Sequence, residues 1–87
     1  MNKFTAFMFV AKQIVSEEKK RARANAVIDA MRTRGLSTDK AVELVQAMIE
    51  QGYIKLHSVR GTKYVSLTKK GCTNIRMYNE AKRGATA

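Results

Sequence analysis

The chain has 87 residues, of which 17 are Lys or Arg and 7 are Asp or Glu, with one cysteine and no proline. This length suits a single domain, and a hydrophobic content of 45% excludes wholesale disorder. The formal net charge of +10 raises the free energy of the folded chain by self-repulsion, so we expect a polyanionic partner: nucleic acid first, an anionic membrane surface second. A lone cysteine allows no intramolecular disulfide, which favours a reducing compartment and a cytoplasmic location.

Residues 2–15 are predicted to form the first helix. Their apolar side chains fall on two adjacent stripes, one with Phe4, Met8, Ala11 and Val15, the other with Phe7, Val10 and Ile14. The segment is too short, and too interrupted by Lys12, for a signal peptide or a membrane span, so we expect no membrane association. Two stripes exceed the need of a small core, which predicts a homodimer. Its predicted interface is Phe4, Phe7, Val10, Ile14 and Tyr78. The alternative is one larger core in which the last helix covers the second stripe.

Two further helices follow, each with its own start and stop signals. Ser16 is the predicted N-cap of the second helix, which would carry Glu17 and Glu18 in its first turn and end at Gly35. Ser37 is the predicted N-cap of the third helix, which ends at Gly52. The third helix is expected to bury Ala41, Leu44, Val45 and Met48.

The C-terminal part is predicted to form a β-hairpin and a last helix. Residues 53–59 and 63–67 alternate as strands around a turn that contains Gly61. Thr68 is expected to cap the last helix, with Ile75 and Tyr78 pointing inward. The predicted fold class is therefore mainly α with a small β-hairpin, in the order α-α-α-β-β-α. Residues 1–83 form one domain in this prediction, and residues 84–87 a flexible tail.

Two stretches of this chain resemble the winged helix-turn-helix domain of bacterial, phage and plasmid regulators. Residues 35–54 read GLSTDKAVELVQAMIEQGYI, which is similar to the family's Gly–apolar–Ser turn, recognition helix and Gly–aromatic–Ile entry to the wing. Residues 65–71 read VSLTKKG, similar to the Leu-Thr-x-x-Gly turn that closes such a wing. The resemblance covers about residues 24–80. It implies that the helix over residues 37–51 enters the major groove of duplex DNA, while the hairpin contacts phosphates or the minor groove.

The third helix is an unusual recognition helix because it has one base, Lys40, against Asp39, Glu43 and Glu50. The outward positions that the resemblance implies are Thr38, Lys40, Val42, Glu43, Gln46 and Ala47. Gln46 can pair with adenine and Glu43 can accept a hydrogen bond from cytosine N4. The alternative is that both side chains are merely solvated.

The positive charge lies to either side of that helix. The segment after Gly52 has eight Lys or Arg and one acid, Glu80. We expect the positively charged β-hairpin in this segment to bind phosphates. Arg60, beside Gly61 at the tip of the hairpin, is expected to reach into a minor groove. The predicted DNA-binding residues are Arg21, Arg23, Arg34, Thr38, Lys40, Glu43, Gln46, Lys55, Arg60, Lys63, Lys69 and Lys70.

No catalytic or metal-binding pattern is recognisable in this sequence. His57 has no second His and no Cys at ligand spacing, and no Gly-rich phosphate loop is present, so we expect neither an enzyme nor a cofactor or metal. The expected function is duplex DNA binding, sequence-specific or backbone-directed, by a small dimeric transcription regulator. The alternatives are a phage- or plasmid-type inhibitor that binds a protein partner through the same frame, and a protein that binds structured RNA.

Overall fold

The computed structural model describes the backbone of residues 2–86 and the side chains of residues 2–81. Over this part the chain forms four helices: α1 (Lys3–Ser16), α2 (Ala24–Thr33), α3 (Thr38–Glu50) and α4 (Lys69–Thr86). Three strands accompany them: β1 (Ala22–Arg23), β2 (Ile54–Val59) and β3 (Thr62–Leu67). The prediction of a mainly helical fold with a β-hairpin is confirmed, and β1 is an addition to it. The predicted flexible tail at residues 84–87 lies outside the residues whose side chains are described and stays a prediction.

The three strands form an antiparallel sheet in the order β1-β3-β2. Val65 at the centre pairs with Ala22 on one side and Leu56 on the other, and its side chain is fully buried. Ala22 and Ile54 are also buried, so this face of the sheet packs on the helices. Because side chains alternate along a strand, Arg23, Lys55, His57 and Tyr64 lie on the opposite face, here called the outer sheet face.

The prediction that Ser16 caps the second helix is wrong. Ser16 is the last residue of α1, and its hydroxyl donates back to the Gln13 carbonyl at 2.7 Å. Glu17 and Glu18 lie in the following turn, not in the first turn of a helix. The chain then enters β1, because pairing beside Val65 buries Ala22, and α2 begins only at Ala24.

Glycines end α2 and α3 as predicted. Gly35 and Gly52 have φ of 93° and 80°, the left-handed conformation that favours glycine after a helix. At the end of α3 the Gly52 amide donates to the Ile49 carbonyl and the Tyr53 amide to the Met48 carbonyl, both at 3.0 Å. This pair of hydrogen bonds stops the helix and turns the chain towards β2.

One face of helix α1 packs in the core against α3 and the inner face of the sheet. The second apolar stripe is buried there, whereas the first stripe is buried only at Ala11, and Phe4 and Val15 are exposed. Phe7, Val10 and Ile14 are only 3%, 0% and 1% exposed, so these three side chains have no surface to offer a second copy in this fold. The alternative of one larger core fits this part of α1, and of the predicted dimer interface only Phe4 and Tyr78 keep accessible surface.

Helix α4 is joined closely to the end of α3. Thr68 is its cap, as predicted: the hydroxyl accepts from the Gly71 amide at 3.0 Å and donates to the Gly52 carbonyl. A side chain at Gly71 would overlap the Tyr53 carbonyl oxygen, so α4 packs there in backbone contact with the entry to β2. Farther along, the Tyr78 ring lies 4.7 Å from the Phe4 ring, centroid to centroid, which docks α4 on α1.

Candidate nucleic-acid interface

The turn of the β2–β3 hairpin places an arginine at its tip. Arg60 and Gly61 have φ of 51° and 82° and connect the paired residues Val59 and Thr62, so the turn is a two-residue turn with both residues left-handed. Asn, Asp or Gly usually occupies the first position, since a left-handed residue with a β-carbon costs roughly 1–2 kcal/mol. Within the described residues, the Arg60 side chain makes no ion pair or hydrogen bond that would compensate this strain.

Lys20 shows what such compensation looks like. It is the other described non-glycine residue with a positive φ, 55°. Its ammonium group donates to the Val15 carbonyl at 2.8 Å and so satisfies the C-terminal end of α1. Arg60, in contrast to Lys20, is exposed and has no such hydrogen bond within the described residues, so its side chain is free to contact a ligand.

The hairpin carries positive charge without local neutralisation. Lys63 is exposed and pairs in register with Ser58 near the tip, and Lys55 is exposed near the start of β2. No Asp or Glu occurs in residues 51–79. Phosphate groups brought to the hairpin would therefore meet cations and no carboxylate from the hairpin itself.

The outer sheet face brings basic and aromatic groups together across all three strands. Tyr64 pairs in register with Arg23 on one side and His57 on the other. The His57 and Tyr64 rings are 24° from parallel with centroids 6.1 Å apart, and the Arg21 guanidinium lies 4.5 Å from the Tyr64 centroid. The sequence predicted Arg21, Arg23 and Lys55 as basic site residues but missed both rings. A signal in the sequence could have found them: a two-residue turn at Arg60 and Gly61 pairs His57 with Tyr64, so both rings lie on the same face of the hairpin.

Helix α3 presents carboxylates at the centre of its exposed side. Asp39, Glu43, Gln46 and Glu50 follow at helical spacing opposite the buried residues and form what we call the outward stripe. The Lys40 ammonium lies 3.7 Å from the Glu43 carboxylate, so the one base of this helix is already paired. The outward stripe is thus suited to base edges through Gln46 but poorly suited to phosphates.

The remaining outward positions of α3 agree with the prediction, and α1 adds a cation beside them. Thr38 and Val42 are exposed, and Ala47 is half-buried. Lys3, which the sequence did not single out, lines a recess between the start of α1 and α3 together with Lys40 and residues of the outward stripe. Only the packing of α1 on α3 brings Lys3 there.

Three predicted DNA contacts lie elsewhere on the molecule. Lys70 donates to the Gln51 carbonyl at 2.8 Å and lies 5.0 Å from the Tyr53 ring centroid, so it stabilises the junction of α3 and α4. Arg34 lies 5.0 Å from the Phe9 ring centroid and lines a groove beside α1 and α4. Lys69 is exposed at the start of α4.

Among the described residues, His, Cys, Asp and Glu side chains nowhere gather in a group of three able to hold a metal ion. Nor does any helix of that part combine the length and apolar character needed to cross a membrane. Comparison with protein-family models, with curated proteins and with solved structures found no match to this chain.

Proposed function

We propose that this chain is a winged helix-turn-helix protein that binds duplex DNA, mainly through the phosphate backbone, with the β2–β3 hairpin as its wing. The observation that carries the proposal is Arg60, held left-handed at the tip of a hairpin that contains no acid. Residues in strained backbone conformations cluster at binding and active sites, and within the described residues Arg60 has no hydrogen bond or ion pair that would account for its conformation.

The arrangement of elements supports the same proposal. Helices α2 and α3 are joined by residues 34–37, a short turn that contains Gly35, as in helix-turn-helix units. The hairpin follows α3 directly and pairs with β1, which leads into α2. The tip of the hairpin and the helix-turn-helix thus belong to one continuous small domain.

The charge distribution favours backbone-directed binding over extensive base reading. Phosphates would be repelled by Asp39, Glu43 and Glu50 but attracted by Arg60 and Lys63. In the proposed complex the hairpin supplies most of the affinity. Helix α3 supplies at most a modest preference, through Gln46 and Glu43 at base edges.

A salt titration with a fluorescein-labelled random-sequence 24-bp duplex tests this proposal by fluorescence anisotropy. We expect the logarithm of the association constant to fall linearly with the logarithm of salt concentration, by about 0.9 for each phosphate neutralised. Selection from a random duplex pool at fixed salt then measures any sequence preference. Absence of duplex binding at 50 mM salt would overturn the proposal, and stronger binding to a structured RNA hairpin of equal length would redirect it.

A second candidate is a protein-interaction module, such as an inhibitor of the phage or plasmid type. It is favoured by the apolar groove of about 500 Å³ that Met8, Phe9, Val15 and Ile75 line beside α1 and α4. A protein complex formed there would depend on apolar contact and would persist at salt concentrations that dissociate DNA. Affinity purification in high salt with a named candidate partner separates the two functions.

A further inference from the structure

The outer sheet face carries a row of planar side chains that have no role in the proposed duplex contact at the hairpin tip. In register across β1, β3 and β2 lie Arg23, Tyr64 and His57, with neighbouring strands about 4.8 Å apart. Arg21 is the residue before β1, and its guanidinium lies over the Tyr64 ring, 4.5 Å from the ring centroid. The His57 and Tyr64 ring planes are 24° from parallel, and their centroids are 6.1 Å apart.

This row is accessible. The core residues Ala22, Ile54 and Val65 lie on the other face of the sheet, against the helices. On the outer sheet face Arg23 and Lys55 are exposed, and His57 and Tyr64 are half-buried. The row therefore needs no rearrangement of the core to meet a ligand.

We propose that the outer sheet face is a second nucleic-acid surface, which binds single-stranded DNA or RNA. One or two bases stack on the exposed sides of His57 and Tyr64, while Arg23 and Lys55 pair with the flanking phosphates. Proteins that bind single-stranded nucleic acid combine aromatic rings, on which bases stack, with cations that contact the phosphates. The stacking tolerates any sequence, because every base has a flat face.

A single strand fits this surface better than a duplex does. The bases of a duplex are stacked on each other, so aromatic rings on a flat sheet gain nothing from its backbone. A cation row alone would serve a duplex equally well, and the discriminating feature is the His57–Tyr64 pair. Arg21 adds a cation next to Tyr64 and holds the ring by a cation–π contact.

The test uses two labelled probes, dT12 and rU12, in fluorescence anisotropy at 50 mM salt, beside the random 24-bp duplex. Tyr64→Leu removes the ring and keeps an apolar side chain, and Tyr64→Phe is the matched control that keeps the ring. We expect Tyr64→Leu to weaken single-strand binding by about 5- to 150-fold, the range for loss of one stacked base. We expect Tyr64→Phe to stay within twofold of wild type, and duplex affinity to be unchanged by both substitutions.

His57→Thr keeps strand propensity and provides a second variant should Tyr64→Leu fail to give a cooperative thermal melt. It should weaken dT12 and rU12 binding in the same range. If wild type binds only rU12 or only dT12, and the ring variants weaken that binding, the result would support the proposed surface and identify RNA or DNA as its ligand.

Three results would overturn the inference: no single-strand binding by wild type, equal single-strand binding by wild type and a folded Tyr64→Leu or His57→Thr variant, or a parallel loss of duplex and single-strand binding in the folded variants. Failure of the duplex proposal would look different, because single-strand binding would then persist without duplex binding.

Discussion

Replacing the two cations at the hairpin tip gives the most direct test of duplex binding. In the double variant Arg60→Asn, Lys63→Gln, asparagine keeps the left-handed turn, because Asn-Gly is the preferred pair for this turn type. Glutamine keeps the length and polarity of an exposed strand position. The thermal midpoint should therefore not fall, so a change in binding can be assigned to the lost charges.

The expected magnitude follows from two phosphate contacts. Each contact contributes about 0.9 to the slope of the logarithm of affinity against the logarithm of salt, so the slope should become flatter by about 1.8. When salt rises fourfold, from 50 to 200 mM, affinity falls for both proteins, and the fold-decrease should be about 12 times smaller for the variant than for wild type. Fluorescence anisotropy with the random 24-bp duplex at four salt concentrations resolves a difference of this size.

A control variant of equal charge separates a local contact from the general field of the protein. Lys12→Gln with Arg76→Gln also removes two positive charges, from exposed positions on α1 and α4. We expect it to keep nearly the wild-type slope. If both double variants flatten the slope equally, or if neither does, the hairpin is not a specific phosphate contact and the reasoning fails.

Three further predictions concern α3, the α3–α4 junction and assembly. Glu43→Gln removes a carboxylate from the outward stripe and should strengthen duplex binding by about 1.4- to fivefold, since exposed charge interactions are worth about 0.2–1 kcal/mol; unchanged anisotropy would place α3 away from the DNA. Gly71→Ala should lower the free energy of unfolding by about 1–3 kcal/mol in urea, because its methyl group meets the Tyr53 carbonyl. Cys72→Ala, an exposed neighbour, should change it by less than about 0.5 kcal/mol, and equal midpoints for the two variants would refute the close packing. A homodimer through α1 would now depend on exposed residues such as Phe4, 42% accessible, so sedimentation equilibrium should show a dimer that Phe4→Glu dissociates; a wild-type species of 9.8 kDa at micromolar concentration would exclude it.

The sequence was sufficient where a structural feature depends on residues close together in the chain. Ser37 and Gly52 mark the ends of α3 because a helix cap and a left-handed glycine form hydrogen bonds within a few residues. The two-residue turn at Arg60 and Gly61 is local in the same sense, so the hairpin and its charged tip were predictable. The buried side of α3 follows from helical periodicity alone.

The tertiary structure decided what depends on distant partners. Strand β1 has two residues and no pattern of its own; it exists because Ala22 pairs with Val65 and is buried there, which overrides the local capping signal at Ser16. Which of the two stripes of α1 is buried depends on the elements that surround that helix: Phe7, Val10 and Ile14 are buried, whereas Phe4 and Val15 stay exposed, and periodicity within the helix does not record this difference. The row of Arg23, Tyr64 and His57 likewise forms only in the folded sheet, because strand register aligns side chains that are far apart in the sequence.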